Sequence, residues 1–180
     1  MAPNCDLRQL HLGIGEVAIV ERPTIIHTVL GSCVAAVFWS FQHQVGAMCH
    51  GALPTCPPSL FRGPLEPRLR YVDCAIRHLL DQIESRGVKR KEIELKLFGG
   101  ADVLPVLVSP NASLTVGSQN VLAAIRTLKE ESLFLKASDL GGAQTRVIYF
   151  RSDTGQVALQ RLRGFEGGTS SYPAAESAGK

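Results

Sequence analysis

The chain has 180 residues, of which 45% are hydrophobic and 19% are charged, a composition typical of a globular domain with a sizeable core. The formal net charge of +3 is small and the densest basic stretch, residues 86–91, is short, which disfavours a nucleic-acid-binding protein. No window approaches the roughly 18 apolar residues of a spanning helix, and the first ten residues contain no apolar signal-peptide core. We therefore expect a single cytosolic domain without membrane insertion.

Short runs rich in β-branched and apolar residues dominate the first third of the chain. They predict four strands, at residues 12–20, 24–29, 33–39 and 45–53. The last two runs are joined by a short polar link at 40–44, which predicts a hairpin. Such a hairpin would bring His50 back beside Cys33, near the start of the first of its two strands.

The middle of the chain changes character after His50. Residues 54–67 contain five prolines, and we expect an irregular loop there, either a wall of a substrate groove or a plain surface loop. Apolar residues at helical spacing then predict two amphipathic helices packed side by side, at 71–86 and at 118–131, with Ser118 as the N-cap of the second.

Further strands and turns are predicted between and after these helices. The strands lie at residues 93–97, 133–137, 146–150 and 156–162, and the turns at 99–100, 139–142 and 153–155. Residues 1–10 and 164–180 are expected to be flexible segments on either side of one domain spanning 11–163. The pattern as a whole predicts an α/β or α+β fold.

Five cysteines in a chain without a secretory signal favour reduced thiols over a disulfide framework. The alternative is a zinc site built from the thiols and imidazole of the first third of the chain, namely Cys33, Cys49, His50 and Cys56. Their spacing is irregular and contains no C-x-x-C pair. Cys49 and His50 would also point to opposite faces of one strand. We therefore expect neither a metal nor an organic cofactor.

Cys33 follows a Gly-Ser turn and precedes an apolar run, in the stretch Thr28-Val29-Leu30-Gly31-Ser32-Cys33-Val34. A thiol in that position is accessible to a substrate carbonyl, and backbone N–H groups of the turn can stabilise the oxyanion that develops. With His50 as its base, the thiol is expected to have a lowered pKa. The alternative is that Cys33 is a small buried apolar residue.

The blocks T-x-LGSCV and GAMxH resemble the CheD chemoreceptor glutamine deamidases. So do five later blocks, namely residues 70–73, 98–101, 116–121, 139–142 and the Thr154-Gly155 hairpin, and the resemblance covers roughly residues 10 to 163. It implies that Cys33 is the nucleophile and His50 its base. A threonine just upstream, Thr28, would be the third member, with the neighbouring His27 as the alternative.

The resemblance also implies a fold and a reaction. The fold is an α+β domain with α/β/β layers, a mixed β-sheet sandwich with helices on one outer face. The reaction is conversion of glutamine side chains of methyl-accepting chemoreceptors to glutamate through a cysteine thioester, in bacterial chemotaxis. Candidate oxyanion or substrate-binding residues are Gly31, Ser32, Gly99 and Gly100, although a tight turn is the simpler role of the Gly-Gly pair.

The implied partners are the cytoplasmic domain of a chemoreceptor and, as in some family members, a CheC-type phosphatase. Two other classes remain open at this point. A regulatory binding module could dock a CheC-type phosphatase without turnover, and a cysteine protease or transglutaminase-like acyltransferase could use the same thiol and imidazole.

Overall fold

The computed structural model describes residues 7–102 and 114–162. In chain order, the strands are β1 (Arg8–His11), β2 (Val17–Val20), β3 (Thr24–Leu30), β4 (Val34–Ser40), β5 (Val45–Gly51), β6 (Glu94–Gly99), β7 (Leu135–Leu140), β8 (Arg146–Arg151) and β9 (Val157–Arg161). The helices are α1 (Leu65–Leu69), α2 (Val72–Glu84) and α3 (Val116–Glu130). None of these helices is long and apolar enough to cross a membrane.

The strands form two mixed sheets. The outer sheet has the order β1-β3-β8-β9, and the central sheet has the order β2-β5-β4-β6-β7. The central sheet packs against helices α2 and α3 on one face, the helix-side core, and against the outer sheet on the other face, the inter-sheet core. The expected α/β/β sandwich with helices on one outer face is therefore confirmed.

Strand β4 shows why the central sheet occupies the middle layer. Every one of its residues is buried, because both of its faces are covered. Alternate side chains enter the helix-side core (Val34, Ala36 and Phe38) and the inter-sheet core (Ala35, Val37 and Trp39). A continuous apolar run, without a polar alternation, is the pattern of a strand covered on both faces.

The N-terminal region differs from the expectation. Arg8–His11 forms β1, which pairs in parallel with β3, so the flexible segment predicted over residues 1–10 is wrong for residues 8–10. The strand predicted over residues 12–20 is reduced to Val17–Val20, because the chain first turns through Gly15 with a φ of +78°. Residues 1–6 lie outside the described part.

The proline-rich segment is more regular than predicted. A 3-10 turn spans Pro58–Leu60, and α1 follows directly after Pro64. Proline is tolerated in the first turn of a helix because the N–H it lacks would have no intrahelical partner there. The expectation of a wholly irregular loop is therefore wrong.

The boundaries of two later elements also move. The N-cap of α3 is Thr115, whose Oγ1 accepts a hydrogen bond from the N–H of Ser118 at 3.1 Å, so Ser118 is not the cap. Strand β7 continues to Leu140, into the predicted turn, because its parallel pairing with β6 continues to that residue.

Other expectations hold. The β4–β5 and β8–β9 hairpins are confirmed. The two long helices lie side by side as predicted, with Arg77 of α2 paired with Glu131 at 3.0 Å, just after α3. The flexible tail predicted at 164–180 lies outside the described residues.

Candidate active site

The β4–β5 hairpin brings His50 beside the start of β4. In its antiparallel register His50 lies opposite Ala35, two residues after Cys33. Cys33 itself is half-buried and packs against the inter-sheet core. His50 is almost fully buried. The sequence prediction that the hairpin would bring these two residues close together agrees with this register.

The outer sheet contributes Thr28, a buried residue of β3. Its Oγ1 lies 2.8 Å from Nδ1 of His50 and 2.6 Å from the carbonyl oxygen of Leu12. A carbonyl oxygen can only accept, so the single hydroxyl proton of Thr28 is donated to Leu12. Nδ1 of His50 must therefore carry a proton and donate it to Thr28.

This polarity fixes the tautomer of the neutral imidazole. With the proton on Nδ1, the other ring nitrogen, Nε2, has a free lone pair. Nε2 of His50 is buried and has no hydrogen-bond partner among the described residues. A buried nitrogen with a free lone pair is able to accept a proton, which is what a general base requires.

The backbone of His50 is held as firmly as its ring. Its N–H donates to the carbonyl of Glu16 at 3.1 Å, and its carbonyl accepts from the N–H of Gly15 at 2.8 Å. These bonds come from the loop between β1 and β2, the same loop that supplies the Leu12 carbonyl. One loop therefore fixes the imidazole through both its main chain and, by way of Thr28, its ring.

His27, the alternative third member, lies on the other face of β3. Its ring stacks on Tyr149 with a centroid distance of 5.8 Å and meets His11 edge-on at 5.1 Å. Successive residues of a strand point to opposite faces, so His27 and Thr28 cannot both face the inter-sheet core. The hydroxyl that contacts His50 belongs to Thr28.

Burial shifts both ionisable groups towards their neutral forms. It raises the pKa of the Cys33 thiol above its ordinary value, and it lowers the pKa of His50, although the Leu12 carbonyl oxygen, 3.5 Å from Nδ1 of His50, acts in the opposite direction. The expectation of a lowered thiol pKa is therefore wrong. Both shifts favour a neutral thiol at Cys33 and a neutral imidazole at His50.

The Gly99-Gly100 turn holds the backbone of the Cys33 segment. The N–H of Gly100 donates to the carbonyl of Cys33 at 2.8 Å, and the N–H of Ala101 donates to that of Gly31 at 2.9 Å. Gly99 has a φ of +113°, and a Cβ there would clash with the carbonyl oxygen of Cys33. The Gly100 N–H is thus already used in a backbone hydrogen bond, while the oxyanion roles of Gly31 and Ser32 stay predictions.

Sequence reasoning missed Asn120. This side chain is fully buried, and its Nδ2 donates to the carbonyl oxygens of Ser32 at 2.9 Å and Ala52 at 3.0 Å. The available signal was a polar residue on the buried face of an amphipathic helix, which always requires partners. That signal does not reveal which backbone groups the partners are.

Sequence reasoning also missed Asp73, at the start of α2. Its carboxylate is buried and accepts the N–H groups of Cys56 at 3.0 Å and Cys74 at 2.7 Å. It thereby ties the segment that follows His50 to the first turn of α2.

The zinc alternative fails on orientation. Cys49 faces the helix-side core, where burial raises its pKa to about 12, whereas His50 faces the outer sheet. Their predicted placement on opposite faces of one strand is therefore correct. Across residues 7–102 and 114–162, no group of three or more His, Cys, Asp or Glu side chains is arranged to hold a metal ion.

Fold and site together define an α/β/β protein in which an imidazole is hydrogen-bonded to a threonine hydroxyl and a half-buried thiol packs against the inter-sheet core. The family model described as CheD chemotactic sensory transduction matches residues 58–161. The chain belongs to the CheD family. That match begins after His50, so the relationship across the site rests on whole-chain relatives.

Three such relatives cover most of the chain. A protein of Geobacter sulfurreducens named Probable chemoreceptor glutamine deamidase CheD 2 is 37% identical over 156 residues, 87% of this chain and 91% of its own. A Probable chemoreceptor glutamine deamidase CheD of Maridesulfovibrio salexigens is 38% identical over 161 residues, 87% of this chain and 94% of its own. The Chemoreceptor glutamine deamidase CheD of Thermotoga maritima is 31% identical over 156 residues, 86% of this chain and 93% of its own.

Each of these three matches covers at least 86% of the 180 residues. A match of that length includes residues 28–50 wherever it begins, so the similarity extends across the candidate site.

Proposed function

We propose that this chain is a glutamine deamidase that converts glutamine side chains of a chemoreceptor to glutamate, with Cys33 as nucleophile. Membership of the CheD family supports the proposal, as do the names of relatives that share 31% to 38% of its residues over most of its length. We propose further that it acts in the cytosol, on the cytoplasmic domain of the receptor.

One observation carries the chemistry. Thr28 accepts the Nδ1 proton of His50 because its own hydroxyl proton is bound to Leu12, and this leaves Nε2 of His50 unprotonated. A histidine oriented in this way serves as a general base without a carboxylate partner. Thr28 stabilises an imidazolium less than a carboxylate would, and burial lowers the pKa of His50.

The first half of the reaction forms a thioester. As the Cys33 sulfur attacks the carboxamide carbon of the glutamine, its proton passes to Nε2 of His50. The carbonyl oxygen becomes an oxyanion, for which the N–H groups of the Gly31 and Ser32 turn are the proposed donors. The carbon–nitrogen bond then breaks, and the imidazolium gives its proton to the departing ammonia.

The second half releases the product. A water molecule attacks the thioester carbon and transfers a proton to Nε2 of His50. The carbon–sulfur bond breaks, glutamate is left on the receptor, and Cys33 recovers its proton from the imidazolium. The same nitrogen thus acts as base and then as acid in each half. Every proton in the cycle passes through a group of this chain or through water.

Docking of a CheC-type phosphatase stays a prediction from the family resemblance. No contact or surface of the described residues favours a purely regulatory module over an enzyme. The geometry does distinguish Cys33 from the other described cysteines, since Cys49, Cys56 and Cys74 are buried and Cys33 is only half-buried. A thiol accessible to a substrate is expected of an enzyme and is not required of a docking module.

The test uses the full chain and a receptor cytoplasmic fragment, read by mass spectrometry. Deamidation adds about one mass unit per glutamine and leaves the fragment whole. We expect this shift with the parent and with Cys49→Ala, and none with Cys33→Ala. Cleavage of the fragment would indicate a protease, and incorporation of an added amine would indicate a transglutaminase-like acyltransferase. An unchanged fragment with correctly folded parent would contradict the proposal.

A further inference from the structure

Helix α3 contacts the candidate site through a buried polar side chain. Asn120, in the second turn of the helix, donates one hydrogen bond to the carbonyl of Ser32 and another to that of Ala52. Ser32 immediately precedes Cys33, and Ala52 is the second residue after His50. The two carbonyls therefore belong to the two chain segments that carry the thiol and the imidazole.

The orientation of this amide is set by its surroundings. Both neighbouring groups are carbonyl oxygens, which only accept, so the NH₂ group and not the oxygen of Asn120 must face them. Its two protons lie in one plane at a fixed angle. An amide that satisfies both carbonyls at once therefore fixes how the two segments lie relative to each other.

The first turn of α3, just before Asn120, packs on the Gly99-Gly100 turn. A Cβ on Gly117 would lie only 2.6 Å from the carbonyl oxygens of Gly100 and Ala101, so the start of α3 packs directly on that turn. The same turn donates its Gly100 N–H to the carbonyl of Cys33. The helix thus contacts the nucleophile segment both through Asn120 and through the Gly99-Gly100 turn.

The oxygen of the Asn120 amide is not involved in these two hydrogen bonds. Oδ1 of Asn120 is buried and has no hydrogen-bond partner among the described residues. The two hydrogen bonds that the side chain makes among the described residues therefore both come from its NH₂ group. What the amide provides, and an apolar side chain of similar size cannot, is the pair of donors.

We propose that Asn120 is a positioning residue that fixes Cys33 relative to His50, an inference that rests on the deamidase function proposed above. Asn120 is fully buried and cannot touch a protein substrate. Its loss should misplace the thiol relative to the imidazole and leave the substrate surface intact. Catalytic turnover should therefore fall without a change in substrate binding.

The test compares Asn120→Leu with a matched control on the same helix. Asn120→Leu keeps the branching of the side chain, puts two larger methyl groups in place of the amide oxygen and nitrogen, and removes both donors. Thr127→Val removes one buried hydrogen bond, from Oγ1 of Thr127 to the carbonyl of Ala123, at a position remote from the nucleophile turn. Far-UV circular dichroism and thermal melting establish that each variant is folded.

On a receptor fragment, Asn120→Leu should lower kcat by about 10- to 100-fold and leave KM within about twofold, because misplacement of reacting groups acts on the chemical step. Thr127→Val should change neither constant even if it melts at a lower temperature. A folded Asn120→Leu protein with the parent kcat would overturn the proposal. A rise in KM alone would also overturn it, by assigning Asn120 to substrate binding.

A second readout does not depend on the substrate. Alkylation of Cys33 by iodoacetamide near pH 7 needs transfer of the thiol proton to His50, so Asn120→Leu should slow it to about the rate of His50→Ala. If the parent failed to deamidate any receptor fragment, the proposed function would fall, and this comparison would still decide the role of Asn120. An alkylation rate equal to that of the parent would count against it.

A smaller substitution guards against misfolding. Asn120→Ser keeps one donor and adds no bulk, so we expect a kcat between those of the parent and Asn120→Leu. If only the serine variant folds, its kcat decides, and a value equal to that of the parent would contradict the proposal. If neither variant folds, Asn120 supports the fold and not the site, and the proposal is wrong.

Discussion

Two neighbouring residues of strand β5, Cys49 and His50, lie in different environments on opposite faces of the central sheet. Cys49 faces the helix-side core, where burial raises its pKa to about 12. His50 faces the inter-sheet core and bonds to Thr28 of the outer sheet. Both side chains are buried to a similar degree. Burial alone therefore does not make a reactive group, because the partners on each face decide whether a buried group can exchange a proton.

The two faces also differ in how they are closed. On the helix side, α2 covers the sheet with apolar side chains, and Gly51 allows Val72 to approach so closely that a Cβ there would lie 2.8 Å from its Cγ2. On the outer-sheet side, the core ends in loops whose carbonyl oxygens accept hydrogen bonds from side chains of the site. The carbonyl oxygen of Leu12, for example, accepts from the hydroxyl of Thr28. A polar site forms at that end because backbone groups beyond the sheet ladders need other partners.

The largest difference is expected when the sulfur atoms of Cys33 and Cys49 are removed in separate variants. Cys33→Ala should reduce deamidation at least about a thousandfold, since no neighbouring group can form the thioester. Cys49→Ala should keep the parent kcat and lower the free energy of unfolding by about 1 kcal/mol through the small cavity it leaves. The measurements are receptor-fragment turnover and urea denaturation. Similar turnover losses in both variants would mean that Cys33 has no special role.

Replacing the base should have the next largest effect. His50→Ala removes the proton acceptor for both halves of the reaction, and the loss of a general base typically costs about 10²- to 10⁴-fold in rate. Turnover of the receptor fragment should fall by that amount, and added imidazole should restore part of it. A fall of less than about tenfold would show that Nε2 of His50 is not the group that accepts the thiol proton.

The third prediction separates the two faces of β3. Thr28→Val keeps the shape and removes the acceptor for Nδ1, so kcat should fall by about tenfold, less than for His50→Ala, because orientation is only partly lost. His27→Ala, on the opposite face, should leave kcat within about twofold. The check is the ranking of the two variants in one assay. A larger loss of kcat in His27→Ala than in Thr28→Val would mean that Thr28 is not the third member of the site.

Apolar runs and their polar links explain what the sequence could predict. The β4–β5 hairpin was predictable because two buried apolar runs flank a short polar link, and this also brought Cys33 and His50 together. Strand β1 could not be predicted because its residues Arg8 and Gln9 are polar and exposed. It is a strand only because the edge of β3 offers backbone partners.

The sequence could not predict which backbone groups the side chains of the site bind. Period-two alternation separates Thr28 from His27, but only the pairing of the sheets shows which of the two faces the imidazole. The Leu12 carbonyl, which sets the direction of the Thr28 hydroxyl, has no signature in sequence. Asn120 is recognisable as a buried polar residue once α3 is in place, yet its acceptors lie 88 and 68 positions away in the chain.

The pH dependence of thiol alkylation sharpens the contrast between Cys33 and Cys49. Because the pKa of Cys33 is raised, its reaction with iodoacetamide should be at least about tenfold faster at pH 10 than at pH 7. Cys49, with a pKa of about 12 and no exposure to solvent, should react only after unfolding. Peptide mapping of the alkylated sites gives both rates. Equal rates for Cys33 at the two pH values would indicate a preformed thiolate–imidazolium pair.

The smallest expected effect is on stability in acid. Burial lowers the pKa of His50 below its ordinary value of 6.5, so the folded chain binds fewer protons than the unfolded chain at pH values below that value. The stability associated with neutral His50 is therefore complete above pH 6.5 and is lost as the pH falls through the folded pKa. Burial lowers the pKa of His27 and His78 in the same direction, so the parent alone cannot isolate this contribution.

Comparison with His50→Ala isolates the contribution of His50. Between pH 6.5 and 5, the free energy of unfolding of the parent should fall more steeply than that of the variant, by at most about 1.4 kcal/mol per pH unit for one proton. Urea denaturation at several pH values, with matched ionic strength, gives both slopes. Parallel slopes would mean that His50 binds its proton equally well in the folded and unfolded chain, and that burial does not lower its pKa.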